Sequence, residues 1–290
     1  MMHIIFDDVY RSCVIGRYKR DFTQKENHQG GYLRGCHKIY KVYALYGLLY
    51  QYKECDNFPD YDSVELLRLY NERLSKKRTQ PRKYYNELIK RSPDRKCLLC
   101  HVGEASTLDH FLPKDIFPSL SISYNNLIPA CDYCNRTKSK YYSLTKEQQL
   151  IHPLFDLFYN HNWLKATYSE RDNVIYFDIN YAPYTIEYAR ALFHVKKFGL
   201  LETYSAKSIS LVKEIVGIAI DHDLSLSDVI EIKRRMLIRR STSAAKSKYT
   251  IDLWKWLTLE ALEASIVFMN NGKDIFGSIS IFEMSSATYE

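Results

Sequence analysis

Two C-x-x-C pairs, Cys97-x-x-Cys100 and Cys131-x-x-Cys134, constrain this chain more than any other feature. Each pair turns two thiols to one side of a tight knuckle, and two knuckles make a tetrahedral four-sulfur site for structural Zn²⁺. Thirty residues separate Cys100 from Cys131, so a zinc ion held there closes a loop that has room for further structure. Residues 92–143 show no long periodic run and carry prolines at 113, 118 and 129. So short a module cannot bury a core of its own, and a metal is the expected source of its stability. The remaining cysteines, Cys13, Cys36 and Cys55, are scattered singles, a usage that fits a reducing compartment. The opening MMHIIFDDVYRSC lacks the basic-then-apolar pattern of a secretory signal, and no apolar run approaches the roughly 18 residues of a membrane span. The expectation is a cytoplasmic protein with no membrane partner.

The flanks read differently. Residues 1–91 form a mostly helical region: an apolar, Tyr-rich run from Ile39 to Tyr52, then Ser63–Leu74 with apolar residues at helical spacing behind a Ser63 cap. Pro81 interrupts, and a short helix around Tyr84–Arg91 leads into the cysteines. Residues 144–290 read as an α-rich domain with one small hairpin near 163–179. There the β-branched and aromatic runs Trp163–Tyr168 and Val174–Ile179 flank the polar turn SERDN. Helices are expected over 186–197, 205–220, 226–240 and 249–268, with no clear pattern from Gly272 on. The fold class is therefore α+β, predominantly helical, around a zinc-stapled centre. The 25 tyrosines are spread along the whole chain and read as packing residues with one wet end.

Within the zinc loop the sequence reads Leu108-Asp109-His110-Phe111, then Asn126-Leu127-Ile128-Pro129, and after the second knuckle Asn135-Arg136-Thr137-Lys138. In this order the segments resemble the HNH, or ββα-metal, endonucleases, whose pattern runs D-H-x-x-P, N-L and C-x-x-C-[H/N]-x-x-K. The resemblance implies a metal-dependent phosphodiester hydrolase. It makes His110 the general base, a role that suits an imidazole at neutral pH. It makes Asp109 and Asn135 ligands of a catalytic Mg²⁺ or Mn²⁺, ions that take hard oxygen donors. Asn126 matches the asparagine that braces the loop. If residues 133–139 are helical, Lys138 shares a face with Asn135 and is expected on a substrate phosphate. One tension is visible in advance. Adjacent strand residues point to opposite faces, so Asp109 and His110 cannot both face one ion from a regular strand.

The formal charge of +7 favours a polyanionic partner, DNA or RNA. Arg73–Lys96 holds ten Lys/Arg against two acids, and the 233–248 stretch holds no acid, so either suits phosphate contacts or a solvated face. The segment LDHFLPKDIFPSLSISYNNLIPACDYCN is similar to the HNH subunits of Septu-type anti-phage systems, including retron-associated ones. HPLFD at 152–156, WLKA, ALFHVKKFGLLETYSAKS and the stretch Trp254–Leu262 extend the similarity into the C-terminal half. This resemblance implies an ABC/SMC-like ATPase partner and, in retron versions, a reverse transcriptase with its RNA–DNA product. The chain carries no G-x-x-x-x-G-K-[ST] loop, so ATP hydrolysis is expected from another subunit. Two alternatives stay open: a stand-alone HNH nuclease of a mobile or restriction element, and a non-catalytic zinc module that binds nucleic acid.

Overall fold

The computed structural model describes residues 4–16, 20–54, 62–156, 163–243 and 252–277. Cys55, His161 and the 244–248 end of the basic stretch lie outside the described residues. The chain divides into two compact units, one of Met1–Asn160 with Ala182–Phe198, the other of His161–Tyr181 with Gly199–Glu290. No helix among the described residues is long and apolar enough to cross a membrane.

The first unit opens with α1 (Phe6–Val14) and α2 (Gln24–Leu45). Thr23 starts α2 with a reciprocal capping box: its hydroxyl accepts from Glu26 N, and the Glu26 carboxylate accepts from Thr23 N at 2.8 Å. Helix α3 (Ser63–Arg68) is capped by Asp62, whose carboxylate accepts from Val64 N at 3.1 Å. Ser63, expected as the cap, is instead the first helical residue. The helix then widens into a π-turn over Leu69–Leu74, closed by Ser75 N donating to Tyr70 O at 2.9 Å. After Pro81 comes α4 (Arg82–Ile89).

These helices bury Phe6, Val9, Leu66, Tyr70, Leu74 and Leu88 in one cluster with Leu108, Ile122 and Leu127 from the zinc loop. The N-terminal helices thus supply the apolar cover that the loop cannot make alone. In the loop, β1 (Thr107–His110) pairs antiparallel with β2 (Leu127–Ala130), with Asp109 opposite Ile128 and His110 opposite Leu127. Helix α5 (Asp132–Lys138) follows at once and completes a ββα unit. Helix α6 (Ile186–Phe198) packs against α5, within the first unit.

The second unit is built on β3 (Leu164–Ser169) and β4 (Val174–Ile179), an antiparallel hairpin. Its turn is closed by Asn173 N donating to Ser169 O at 2.8 Å, with Asn173 at φ +55°. Helices α7 (Leu200–Asp221) and α9 (Leu253–Glu263) pack on it, and α8 (Leu226–Ser243) and α10 (Ile266–Gly277) pack on those helices. Gly199 holds φ +61° and starts α7 five residues ahead of the expected boundary. The expected continuous helix to 268 is two helices. The chain breaks at Ala264–Ser265 because Ser265 caps a new helix, its hydroxyl accepting from Phe268 N at 3.1 Å.

Candidate active site and metal centre

The two knuckles converge. The four sulfurs of Cys97, Cys100, Cys131 and Cys134 lie within 4.8 Å of one another, and Cys100 Sγ is 3.9 Å from Cys131 Sγ. Tetrahedral zinc with bonds of ~2.3 Å needs sulfurs about 3.8 Å apart, so the set fits the ion. Each knuckle is shaped by its own backbone. Leu99 N donates to Cys97 Sγ, Gly103 N to Cys100 Sγ and Cys134 N to Cys131 Sγ, all at 3.4 Å. Gly103 is required by space: a Cβ there would stand 2.8 Å from Cys131 Cβ. Four thiols packed this closely hydrogen-bond to one another and perturb one another's ionisation. Such crowded sulfurs share protons until a cation takes their place.

The knuckles also hold the sheet. Leu98 N donates to Pro129 O at 3.0 Å, tying the first knuckle to β2. The opposite edge is closed by two tyrosines. Tyr85 Oη accepts from Leu108 N, and Tyr70 Oη donates to Leu108 O, both at 3.1 Å. Asn126 clamps the chain beyond β1: its side-chain oxygen accepts from Leu112 N at 2.8 Å and its amide nitrogen donates to Leu112 O at 2.9 Å.

Period-two alternation sorts the side chains of β1 onto two faces. Thr107 and Asp109 face α5, where residues three apart form matching rungs. Asn135 Nδ2 donates to Thr107 Oγ1 at 3.2 Å, and Lys138 Nζ stands 3.2 Å from Asp109 Oδ2 and 3.3 Å from Oδ1. Asp109, Asn135 and Lys138 therefore gather at one interface. Lys138 departs from its expected role: its side chain is 1% exposed, and Nζ also donates to His110 O at 2.7 Å, so it faces inward rather than toward a phosphate.

Leu108 and His110 face the N-terminal helices. The His110 ring meets the edge of Tyr70 with centroids 4.4 Å apart, and its Nε2 lies 2.8 Å from Ser121 O. A carbonyl only accepts, so Nε2 carries the proton and Nδ1 the lone pair. Burial pushes the His110 pKa down to about 3, so the ring is neutral at ordinary pH. Burial also raises Asp109 to about 6, against the opposing pull of Lys138. The β1–β2 register runs through His110 and the chain bends only over 111–112, so Asp109 and His110 stand on opposite faces of the strand, as alternation requires.

The donor set also suits a hard divalent ion. Asp109 Oδ2 is buried without a hydrogen bond, and with Asn135 Nδ2 donated to Thr107 the amide oxygen remains as an acceptor. Behind this lies a support that the sequence names only as HPLFD. His152 Nδ1 accepts from Leu154 N, Tyr40 Oη lies 2.9 Å from His152 Nε2, and the ring packs at a tilt against Phe111 with centroids 4.3 Å apart. Asp156 accepts both forks of Arg190, at 2.9 and 2.6 Å. Many basic residues outside the site are occupied locally. Arg82 lies over the Tyr85 ring and Lys83 over the Tyr84 ring, while Lys233, Arg234 and Arg235 pair with Glu214, Glu263 and Glu231.

Residues 96–140 match the sequence model of the HNH endonuclease family, and the chain therefore carries an HNH endonuclease domain there. The chain is 33% identical over 109 residues to Protein ea31 of Escherichia phage lambda, 36% of each chain. It is 37% identical over 65 residues to Septu protein PtuB of Bacillus thuringiensis, 22% of this chain and 24% of PtuB. The matches thus span about a third and a quarter of those relatives' lengths. No solved structure matches the chain.

Proposed function

We propose that this chain is a cytoplasmic HNH endonuclease that hydrolyses nucleic-acid phosphodiester bonds, acting as the nuclease subunit of an anti-phage assembly with an ATPase partner. The observation that carries the nuclease reading is the ββα unit, with a neutral His110 at the end of β1 and Asp109 and Asn135 gathered between β1 and α5. Partial identity to a Septu protein supports the defence assignment, and the ATPase, with a reverse transcriptase and its RNA–DNA product in a retron version, follows from that likeness. The phage relative keeps a second reading alive, a stand-alone nuclease of a mobile element.

In the proposed mechanism His110 Nδ1 accepts the proton of the attacking water, while the Ser121 carbonyl holds the ring through Nε2–H. Asp109 and Asn135 would hold Mg²⁺ or Mn²⁺, which would supply charge stabilisation where negative charge develops on the phosphate and the leaving oxygen. Asn126 keeps the chain after β1 in place by its clamp on Leu112. Tyr70 and Tyr85 fix the strand itself by occupying both backbone groups of Leu108. The four cysteines hold zinc and carry no chemical step.

The test is cleavage of plasmid, single-stranded DNA and tRNA by the zinc-loaded protein with and without Mg²⁺, wild type against Asp109→Asn. Mg²⁺-dependent cutting lost in the variant is the expected result. A variant that cuts as fast as wild type at the same Mg²⁺ concentration overturns the assignment. Co-purification with an ATPase would select the defence reading over the stand-alone one.

A further inference from the structure

We infer that Lys138 is a built-in competitor for the catalytic cation: its ammonium shares the Asp109 carboxylate with the divalent ion and so sets how tightly that ion binds. The inference rests on the proposed metal-dependent nuclease and deepens it.

The carriers are geometric. Lys138 lies at the last turn of α5, three residues after Asn135, which places it on the face that covers Asp109. Its side chain is 1% exposed, and a lysine is almost never that buried without a partner. An ammonium has three protons to donate. They are aimed at His110 O at 2.7 Å, Asp109 Oδ1 at 3.3 Å and Ser139 O at 3.5 Å. Asp109 Oδ2 is 3.2 Å from the same nitrogen yet receives no hydrogen bond. The carboxylate therefore feels the charge of Lys138 on both oxygens, and Oδ2 holds that ion pair without a hydrogen bond. A divalent ion on Oδ2 sits within a few ångströms of that ammonium, and two cations at such a distance in a buried site repel strongly.

The arrangement has two consequences. Without the ion, Lys138 balances a carboxylate that would otherwise stand buried and alone, and it holds the His110 backbone at the strand end. With the ion, Lys138 weakens its binding, so the site fills only when the ion's remaining coordination, including substrate phosphate, is favourable. Lys138 is thus a positioning residue. It does not need to touch substrate.

The experiment is Mn²⁺ binding to the zinc-loaded full chain, followed by electron paramagnetic resonance in the absence of nucleic acid, with thermal melting of the same samples. Wild type is compared with Lys138→Met and with Lys138→Gln, which keeps an N–H donor for the His110 carbonyl. Removing the charge should tighten Mn²⁺ binding on the order of tenfold in each folded variant, while the cleavage rate at saturating metal falls because the strand end is less firmly held. Unchanged or weaker Mn²⁺ binding in a folded Lys138→Gln overturns the inference. So does a rise in KM for nucleic acid with unchanged metal dependence, which is the signature of a phosphate ligand. Tighter Mn²⁺ binding by a protein that cuts no nucleic acid would uphold the cation competition and sink the nuclease reading. Normal cleavage with unaltered Mn²⁺ affinity would do the reverse.

Discussion

The interiors of the two units are built on different principles. Of the twenty buried polar or charged residues among the described ones, all but Ser208 and Thr258 lie in the first unit. The second unit fills its interior with Trp163, Ile175, Leu211, Ile215, Leu259, Leu262 and Phe268 around the β3–β4 hairpin. Apolar burial is strong and undirected, so it stabilises a scaffold without fixing any one atom. Buried hydrogen bonds contribute less net energy but are costly to leave unmade, so they fix geometry. The first unit, which holds the proposed base and metal ligands His110, Asp109 and Asn135, adds the second kind of interior to its apolar cluster, and the second unit relies on the first kind.

The largest expected separation between the units comes from the metal. Cys131→Ser, or zinc removal by a strong chelator, should unfold the first unit's centre, since structural zinc is worth roughly 10 kcal/mol or more. The helices of the second unit should persist. Zinc content and melting followed by circular dichroism check this, and an unchanged melt in a zinc-free sample breaks the comparison.

Next come single buried side chains. Arg190→Met leaves the Asp156 carboxylate buried without its partner and should cost about 3–5 kcal/mol. Leu262→Ala in the second unit should cost a similar 2–5 kcal/mol by cavity formation. The comparison sharpens in the cleavage rate: Arg190→Met should lower it at temperatures where the protein is folded, and Leu262→Ala should not.

The last separation is in pH. Burial pushes His110 and His152 down to about 3 and His37 and His194 to about 4, all in the first unit, and the described residues of the second unit contain no buried histidine. Below about 6.5 the unfolded chain binds a proton that these folded rings refuse. Stability is therefore full above that pH and falls as pH drops toward the folded values. Each ring should cost the first unit about 2 kcal/mol at pH 5. Melting at pH 7.5 and pH 5 should show one transition moving and the other holding; equal shifts in both contradict the assignment.

Much of this was legible in the sequence, for physical reasons. The four cysteines announced their site because a metal demands both a residue type and a spacing. The hairpin at 164–179 announced itself through alternation and a polar turn. Other parts were hidden because they depend on contacts remote in the chain. Nothing local marks Tyr70 and Tyr85 as the residues that seal the edge of β1, or Ser121 as the one whose carbonyl fixes the His110 tautomer. Lys138 was visible as part of a motif, yet its direction was not, since burial depends on how α5 lies across β1. The break at Ser265 was missed because a lone serine inside an apolar helical run reads equally well as an interior residue.

The most direct test of the central claim, that residues 97–140 form a nuclease centre with His110 as its base, is the single-turnover cleavage rate of His110→Gln. Zinc content and melting temperature should be measured on the same preparation. The account predicts a loss of at least about 100-fold in rate with zinc content unchanged and the protein still folded. A folded, zinc-loaded variant that cuts at the wild-type rate would contradict it.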